Sequence, residues 1–197
     1  MKRTYELQLF IDATQAMIAA SGATEAALIV ADRIFSAAQL TGEQHAHQAN
    51  QLPACAFLQP ALASASADLG PVADLAAAIE HLAAKLCWTR RPNGDKDNSE
   101  FKAQHANALV VGPQGLEIRS DIQIGITVLA PHTHYPDHHH SPEEIYAALS
   151  PSQWRQNADP WHSPGGGGYV HNVPNIVHSM RSNEDSLLAV WCLWGSG

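Results

Sequence analysis

Apolar positions in the first ninety residues recur at helical intervals. In TYELQLFIDATQAMIAA, Leu7, Phe10, Ile11, Met17 and Ile18 fall on one face with Thr14 as its one polar member, the spacing of an amphipathic helix. A second helix is predicted to start at Thr24, an N-cap residue with Glu25 just inside, and to run through AALIVADRIFSAAQL. Pro53 and Pro60 are expected to break the next stretch. Asp68-Leu-Gly-Pro71 then leads into VADLAAAIEHLAAKL, whose alanine content favours helix. RPNGDKDNSE, residues 91–100, reads as a turn or exposed linker.

From about residue 107 the period shortens. ALVVG, GLEIRSDIQIGITVLA, EEIYAAL, NIVHSM and SLLAVWCLW alternate or run apolar between the turn sequences GPQG, SPGGGG and RSNED, as short strands do. Five or more such strands at close spacing predict a small antiparallel barrel or sandwich. The expected fold class is α+β: a helical N-terminal lobe over residues 1–102, then a small antiparallel β-barrel over residues 103–197.

With 197 residues, 45% of them hydrophobic, the chain can bury a substantial core. Its formal net charge of -8 argues against nucleic acid as a partner, because phosphate binding needs clustered Lys and Arg. The short basic cluster of Arg90, Arg91 and Lys96 is diluted by Asp95 and Asp97 and reads as a solvated turn. No run approaches the roughly 20 apolar residues that a membrane-spanning helix needs, and Glu6 and Asp12 interrupt any signal-peptide core near the start. Cys55, Cys87 and Cys192 are widely spaced without a CxxC pair, which suits reduced thiols packed as small hydrophobes. A cytoplasmic protein without nucleic-acid or membrane partners is expected, and its oligomeric state stays open.

The histidines change this picture. Eight of the twelve fall between residues 132 and 178, four of them within HYPDHHHSPEEIY, residues 134–146. Side chains at i and i+2 of a strand share a face, so His138 and His140 point together and His139 points away into solvent. Glu144 and Tyr146 share a face of EEIYAAL, and His178 on NIVHSM can approach from across the barrel. Two or three imidazoles and one carboxylate form a donor set for one divalent transition metal ion (Fe, Zn, Mn, Co or Ni) with positions left for a substrate. A register shifted to His132 and His134 lacks a glutamate four residues after His134, where His138 stands. His162 and His171 flank Gly165–Gly168, expected to form a mobile loop over the barrel mouth. Ser141 and Ser163 lie near histidines but without the GxSxG elbow of a hydrolase.

HHHSPEE contains H-x-H-x3-E as His138, His140 and Glu144, which resembles the first motif of the cupin superfamily. GGYVHNVPNIVH approximates the second, with Gly167 and His178 in place, Pro174 one position late and Asn175 where the motif has glycine. His132 stands where the first motif opens on glycine. Over most of the chain, APHTHYPDHHHSPEEIYAALSPSQWRQ, the later histidine strand and the Trp-rich terminus resemble the cupin-type dimethylsulfoniopropionate (DMSP) lyases. The resemblance implies a helical part followed by a cupin barrel, a metal site at His140, Glu144, Tyr146 and His178, and a characteristic tyrosine at Tyr135. It also implies cleavage of DMSP, a small zwitterion, to dimethyl sulfide and acrylate.

On that reading Tyr146 is both ligand and base, and Tyr135 positions or deprotonates the substrate. His138, which comes from the general cupin motif, binds either metal or substrate. The sulfonium should seek an aromatic face, for which Tyr135, Tyr169, Trp191 and Trp194 are available. Trp191 and Trp194 have opposite strand parity, so one of the two is expected to face the cavity. Two rivals remain: a cupin Fe(II) dioxygenase of another small substrate, which would consume oxygen, and a non-enzymatic ligand-binding cupin.

Overall fold

Helix α1 (Tyr5–Ala20) buries Leu7, Phe10, Ile11, Met17 and Ile18 as the periodicity predicts. Thr14 sits among them because its hydroxyl donates to the Phe10 carbonyl at 2.7 Å, so no buried polar group is left unpaired. Helix α2 (Glu25–Ala38) starts at Thr24, whose Oγ1 accepts the Ala27 N–H. Pro53 opens a 3-10 turn (Pro53–Phe57) that runs directly into α3 (Leu58–Ser66). Pro60 therefore lies within the first turn of α3 and does not break the segment, since first-turn residues need no N–H for the helical ladder. Helices α4 (Pro71–Ala83) and α5 (Ser99–Gln104) complete the helical part. The computed structural model describes residues 2–46, 48–91 and 99–195. His47 and most of the expected linker at 91–100, including Asp95, Lys96 and Asp97, lie outside them.

Eleven strands are described: β1 (Glu43–Gln44), β2 (Trp88–Thr89), β3 (His105–Val111), β4 (Glu117–Ile118), β5 (Ile122–Leu129), β6 (His134–His138), β7 (Glu143–Ala148), β8 (Gln153–Gln156), β9 (Tyr169–Asn172), β10 (His178–Arg181) and β11 (Leu187–Trp194). The larger sheet has the order β1-β4-β3-β5-β11-β7-β9, with β2 also on β3, and the smaller has the order β6-β10-β8. Pairing is antiparallel except between β3 and β4. The short strands β1 and β2 come from the first hundred residues, so the helical part also supplies edges to the larger sheet.

Alternation along β5, β7 and β11 assigns each face of this sheet. Ile122, Ile124, Ile126 and Val128, Ile145 and Ala147, and Leu188, Val190 and Cys192 pack in one core with the helices. Leu129, Tyr146, Ala148, Leu187 and Ala189 point the other way, into a second core shared with Tyr135, Trp154 and Met180 of the smaller sheet. The barrel interior is this second face. Cys55, Cys87 and Cys192 are unpaired thiols, as their spacing suggests. Among the described residues no helix is long and apolar enough to cross a membrane.

A buried ion pair fastens the start of the chain to this sheet. Arg3 donates from Nε at 2.6 Å and from Nη2 at 2.7 Å to the Glu117 carboxylate, which also accepts from the Gly42 N–H and Gln44. Burial works to raise the Glu117 pKa, and these donors with the Arg3 charge outweigh it, so the carboxyl stays below the usual range. Both side chains are almost wholly enclosed. Glu117→Gln should therefore cost about 3 to 5 kcal/mol in urea unfolding, because Arg3 is left buried without its counter-charge. With its folded pKa lowered, Glu117 contributes its stability above the ordinary carboxylate value. That contribution is lost as pH falls through the folded value, and the variant should lack this acid limb.

Candidate metal centre

Glu144 stands at the start of β7 on the barrel-interior face, in a cross-strand row with Leu193, Gln123 and Asn172. His178 opens β10 on the opposite sheet and His140 lies in the turn between β6 and β7. Nε2 of His140 and Nε2 of His178 each approach Glu144 Oε2 at 3.3 Å. The ligand atoms of His140, Glu144 and His178 lie within 4.8 Å of one another, and they form the single such His/Cys/Asp/Glu group among the described residues.

The rings are oriented by their own neighbourhoods. His140 Nδ1 pairs with the Pro142 carbonyl at 2.9 Å, His178 Nδ1 with that of Ile176 at 3.0 Å, and His138 Nδ1 with that of Pro136 at 2.9 Å. A carbonyl can only accept, so each Nδ1 carries the proton and each Nε2 presents a lone pair, the tautomer a metal requires. His178 Nε2 is buried with no hydrogen-bond partner. A buried acceptor aimed at a carboxylate is costly unless a cation lies between them, so the donor set fits a divalent ion.

Burial would raise the pKa of the enclosed Glu144 carboxyl, but the adjacent imidazoles of His140 and His178 favour its charged form and hold the group ionised. Asn172, also buried, donates its Nδ2–H to Glu144 Oε2 at 2.9 Å and fixes the carboxylate plane. Burial opposes a charge on His140, and the adjacent Glu144 outweighs it, raising that imidazole, so a metal bound at its Nε2 would displace a proton there. Asn172→Ala should weaken metal binding by about 10- to 100-fold, the usual worth of a partner that orients a ligand. A metal titration against a competing chelator would measure this, and unchanged affinity would remove Asn172 from the site.

The remaining predicted residues fall in definite places. His138 packs its ring 4.0 Å from His178 but stands outside the compact group. Burial, then the neighbouring His178, pushes its pKa down to about 3, so it is neutral. His139 is exposed. Tyr146 lies on the same face as Glu144, with its ring 4.7 Å from that of Trp154. Burial pushes its phenol well above the ordinary range, and the Glu144 charge adds to the effect. Tyr135 is buried against His138 and Phe101 and lies near Asn107.

A cavity of about 470 Å³ joins Tyr135, His138, His140, Glu144, Tyr146 and Trp191, a volume suited to a small ligand. Trp194 is not part of it. It packs on the helical side under Arg33, 5.2 Å from the ring centroid, because residues 188, 190, 192 and 194 face the helices. The substrate contact expected of Trp194 is thereby corrected, and Trp191 is the tryptophan in the cavity. His134 turns outward to Ser179 and Trp161, so the shifted histidine register is not formed. Gly165–Gly168 do not cover the mouth. Gly167 N–H donates to Ala148 and Gly168 accepts from it, at the end of β7 away from Glu144, and Gly167 lies against Val72 of α4.

Several cavity residues carry no signal in the sequence pattern. Asn107 and Thr127 are cross-strand partners joined by a 2.6 Å hydrogen bond, and Gln123 lies beside them. Arg91, expected in a solvated turn, lines the cavity instead and stands 5.4 Å from the ring centroids of both Phe101 and Tyr135. A cation already over Tyr135 makes that ring a poor second seat for a sulfonium.

Comparison with known proteins gives the family of the chain. A Cereibacter sphaeroides protein assigned as the DMSP lyase DddL is 25% identical over 126 residues, which is 64% of this chain and 52% of that protein. The chain thus spans about half the length of this curated relative. The crystal structure of DMSP lyase DddQ from Ruegeria pomeroyi DSS-3 superposes with a TM-score of 0.69 at 17% identity, covering 98% of this chain and 93% of that one. A chain from the crystal structures of the DMSP lyases RdDddP and RnDddQII matches with the same score and coverage at 18% identity. These two show that the fold is shared. The family model for dimethylsulfoniopropionate lyases matches residues 27–189, from the second helix into the last strand with His140, Glu144, Tyr146 and His178 inside the span, and the chain belongs to that family.

Proposed function

We propose that the protein cleaves DMSP by β-elimination to dimethyl sulfide and acrylate, with a divalent transition metal ion held by His140, Glu144, His178 and the Tyr146 oxygen. The observation that carries this reading is the convergence of two Nε2 lone pairs and one ionised carboxylate beside a buried tyrosine. A cation bound there would withdraw charge from the substrate carboxylate and lower the pKa of the neighbouring phenol.

The difficult part of the reaction is the weakly acidic C–H next to the carboxylate. Tyr146 is the base: its phenolate oxygen takes the α-proton and becomes the phenol. The C–H electron pair becomes the C=C bond of acrylate, and the C–S pair leaves with neutral dimethyl sulfide, so the step is redox-neutral. A free phenol titrates near pH ~10, and the enclosed Tyr146 higher still, so this role requires a positive charge near Glu144. Tyr135 and the neutral His138 line the opposite wall and hold the substrate against Tyr146. Trp191 offers its ring to the sulfonium.

The test is headspace dimethyl sulfide from DMSP mixed with metal-reconstituted protein, beside a chelated sample and an anaerobic one. Release that vanishes on chelation and persists without oxygen is expected. Absence of release with Fe, Mn, Co, Ni and Zn, at confirmed occupancy, would discard DMSP as substrate.

A further inference from the structure

Gly125 lies near the middle of β5, directly opposite Trp191 on β11, and Trp191 is in turn opposite Tyr146 on β7. A glycine inside a central strand costs backbone entropy and buries no side chain, and such a residue marks a close approach by something else. Here the approaching group is the indole. A Cβ added at Gly125 would fall 2.2 Å from Trp191 Cζ2 and 2.6 Å from both Cε2 and Cη2. The two neighbours of Cζ2 are equally distant and only slightly farther than Cζ2 itself, which places that point over the ring face, since an approach in the ring plane would leave both much farther away. The indole therefore lies with one face on the Gly125 backbone, and it tips away from Tyr146.

This posture decides the shape of the cavity. Trp191 borders both the Tyr146 cavity and a neighbouring one lined by Cys87 and Arg90, and with Asn107 and Gln123 it forms the wall they share. We propose that Gly125 is a specificity-determining residue, which sets the width of the subsite for a methyl-substituted onium group by letting Trp191 lie flat. The proposal deepens the lyase reading and rests on it. Any side chain at position 125 is more than an ångström short of ordinary contact with the ring. It must push the indole into the space beside Tyr146, where the sulfonium methyls would sit. The cation–π contact depends on the same posture, because it needs the cation over the ring and not at its edge.

Calorimetric binding of 3-(trimethylammonio)propanoate, whose amine is a far poorer leaving group than dimethyl sulfide, tests this on metal-loaded protein. Gly125→Ala should weaken binding at least tenfold and raise KM for DMSP by a similar factor, with kcat changed much less. The double variant Gly125→Ala, Trp191→Phe should recover most of the loss, since a phenyl ring clears the added methyl. Recovery of folded yield in the double variant reports the same clash where the single variant does not accumulate. Wild-type protein should bind the triethylammonio analogue at least tenfold more weakly than the trimethyl one. Equal binding of both analogues, equal impairment of the single and double variants, or no binding of the trimethyl analogue by wild type would overturn the proposal. Wild type that binds the analogue but releases no dimethyl sulfide would overturn the lyase reading and leave the Gly125 comparison intact.

Discussion

Tyr146→Phe protein should keep its metal and release dimethyl sulfide at about one thousandth of the wild-type rate or less, since a positioned base supplies about 10²- to 10⁴-fold. The substitution removes a single oxygen. The ring still meets Trp154 at 4.7 Å and remains in the core with Tyr135 and Met180. The hydroxyl faces Glu144 and carries none of the ring's packing, and Glu144 keeps its hydrogen bond from Asn172, so the melting temperature should hardly move. His140, Glu144 and His178 remain to hold the ion, so metal content should stay near that of wild type in protein loaded at saturating metal. Headspace chromatography with elemental analysis of the same sample checks both halves. A variant with metal and ordinary turnover would remove Tyr146 as base and leave Tyr135, across the cavity, as the group to test next.

The second large effect is expected from Glu144→Gln, which should fail at the earlier stage of metal binding. The carboxylate is the one anionic member of the compact group, and it is held ionised against its burial by the two histidines. An amide in its place has no charge to offer a dication. Even partners that only orient a ligand are worth about 10- to 100-fold in metal affinity, so loss of the charged ligand should exceed that range. The variant is expected to emerge from dialysis without metal and to show the residual activity of chelated wild type. Restored turnover at high added metal would fit this account. Full occupancy in Glu144→Gln would mean that the ion sits elsewhere.

These two residues are also where the sequence was most legible. Glu144 and Tyr146 are two apart on a run with clear strand character, so parity alone put them on one face, and β7 bears this out. Thr24 and the apolar stripe of α1 were equally readable, because capping and helical spacing are local properties. Strands β6, β8 and β9 were not. HYPDH, QWRQ and YVHN are short, and each turns a single buried apolar residue inward (Tyr135, Trp154 and Val170) among polar ones, too little alternation to mark a strand. Parity separated Trp191 from Trp194 but could not say which faced inward, because both faces of the larger sheet are buried. The glycine loop was misplaced for a similar reason: nothing local says which end of β7 it will bind. Gly125 was visible as a glycine inside IQIGITVL, yet its meaning depends on a tryptophan 66 residues later.

The burial of the larger sheet on both faces has a further consequence for the chain as a whole. One thickness of backbone separates the helices from the metal centre: Ile145 touches the helical core while Glu144 and Tyr146, on either side of it, face the cavity. Residues 103–197 produced alone would turn Ile122, Ile124, Ile126, Val128, Ile145, Leu188 and Val190 to water as one continuous greasy surface. Contiguous apolar area of that kind drives self-association, so excising the barrel as a minimal catalyst would yield aggregate. The helices act as a built-in chaperone for the face of the sheet that the chemistry does not use.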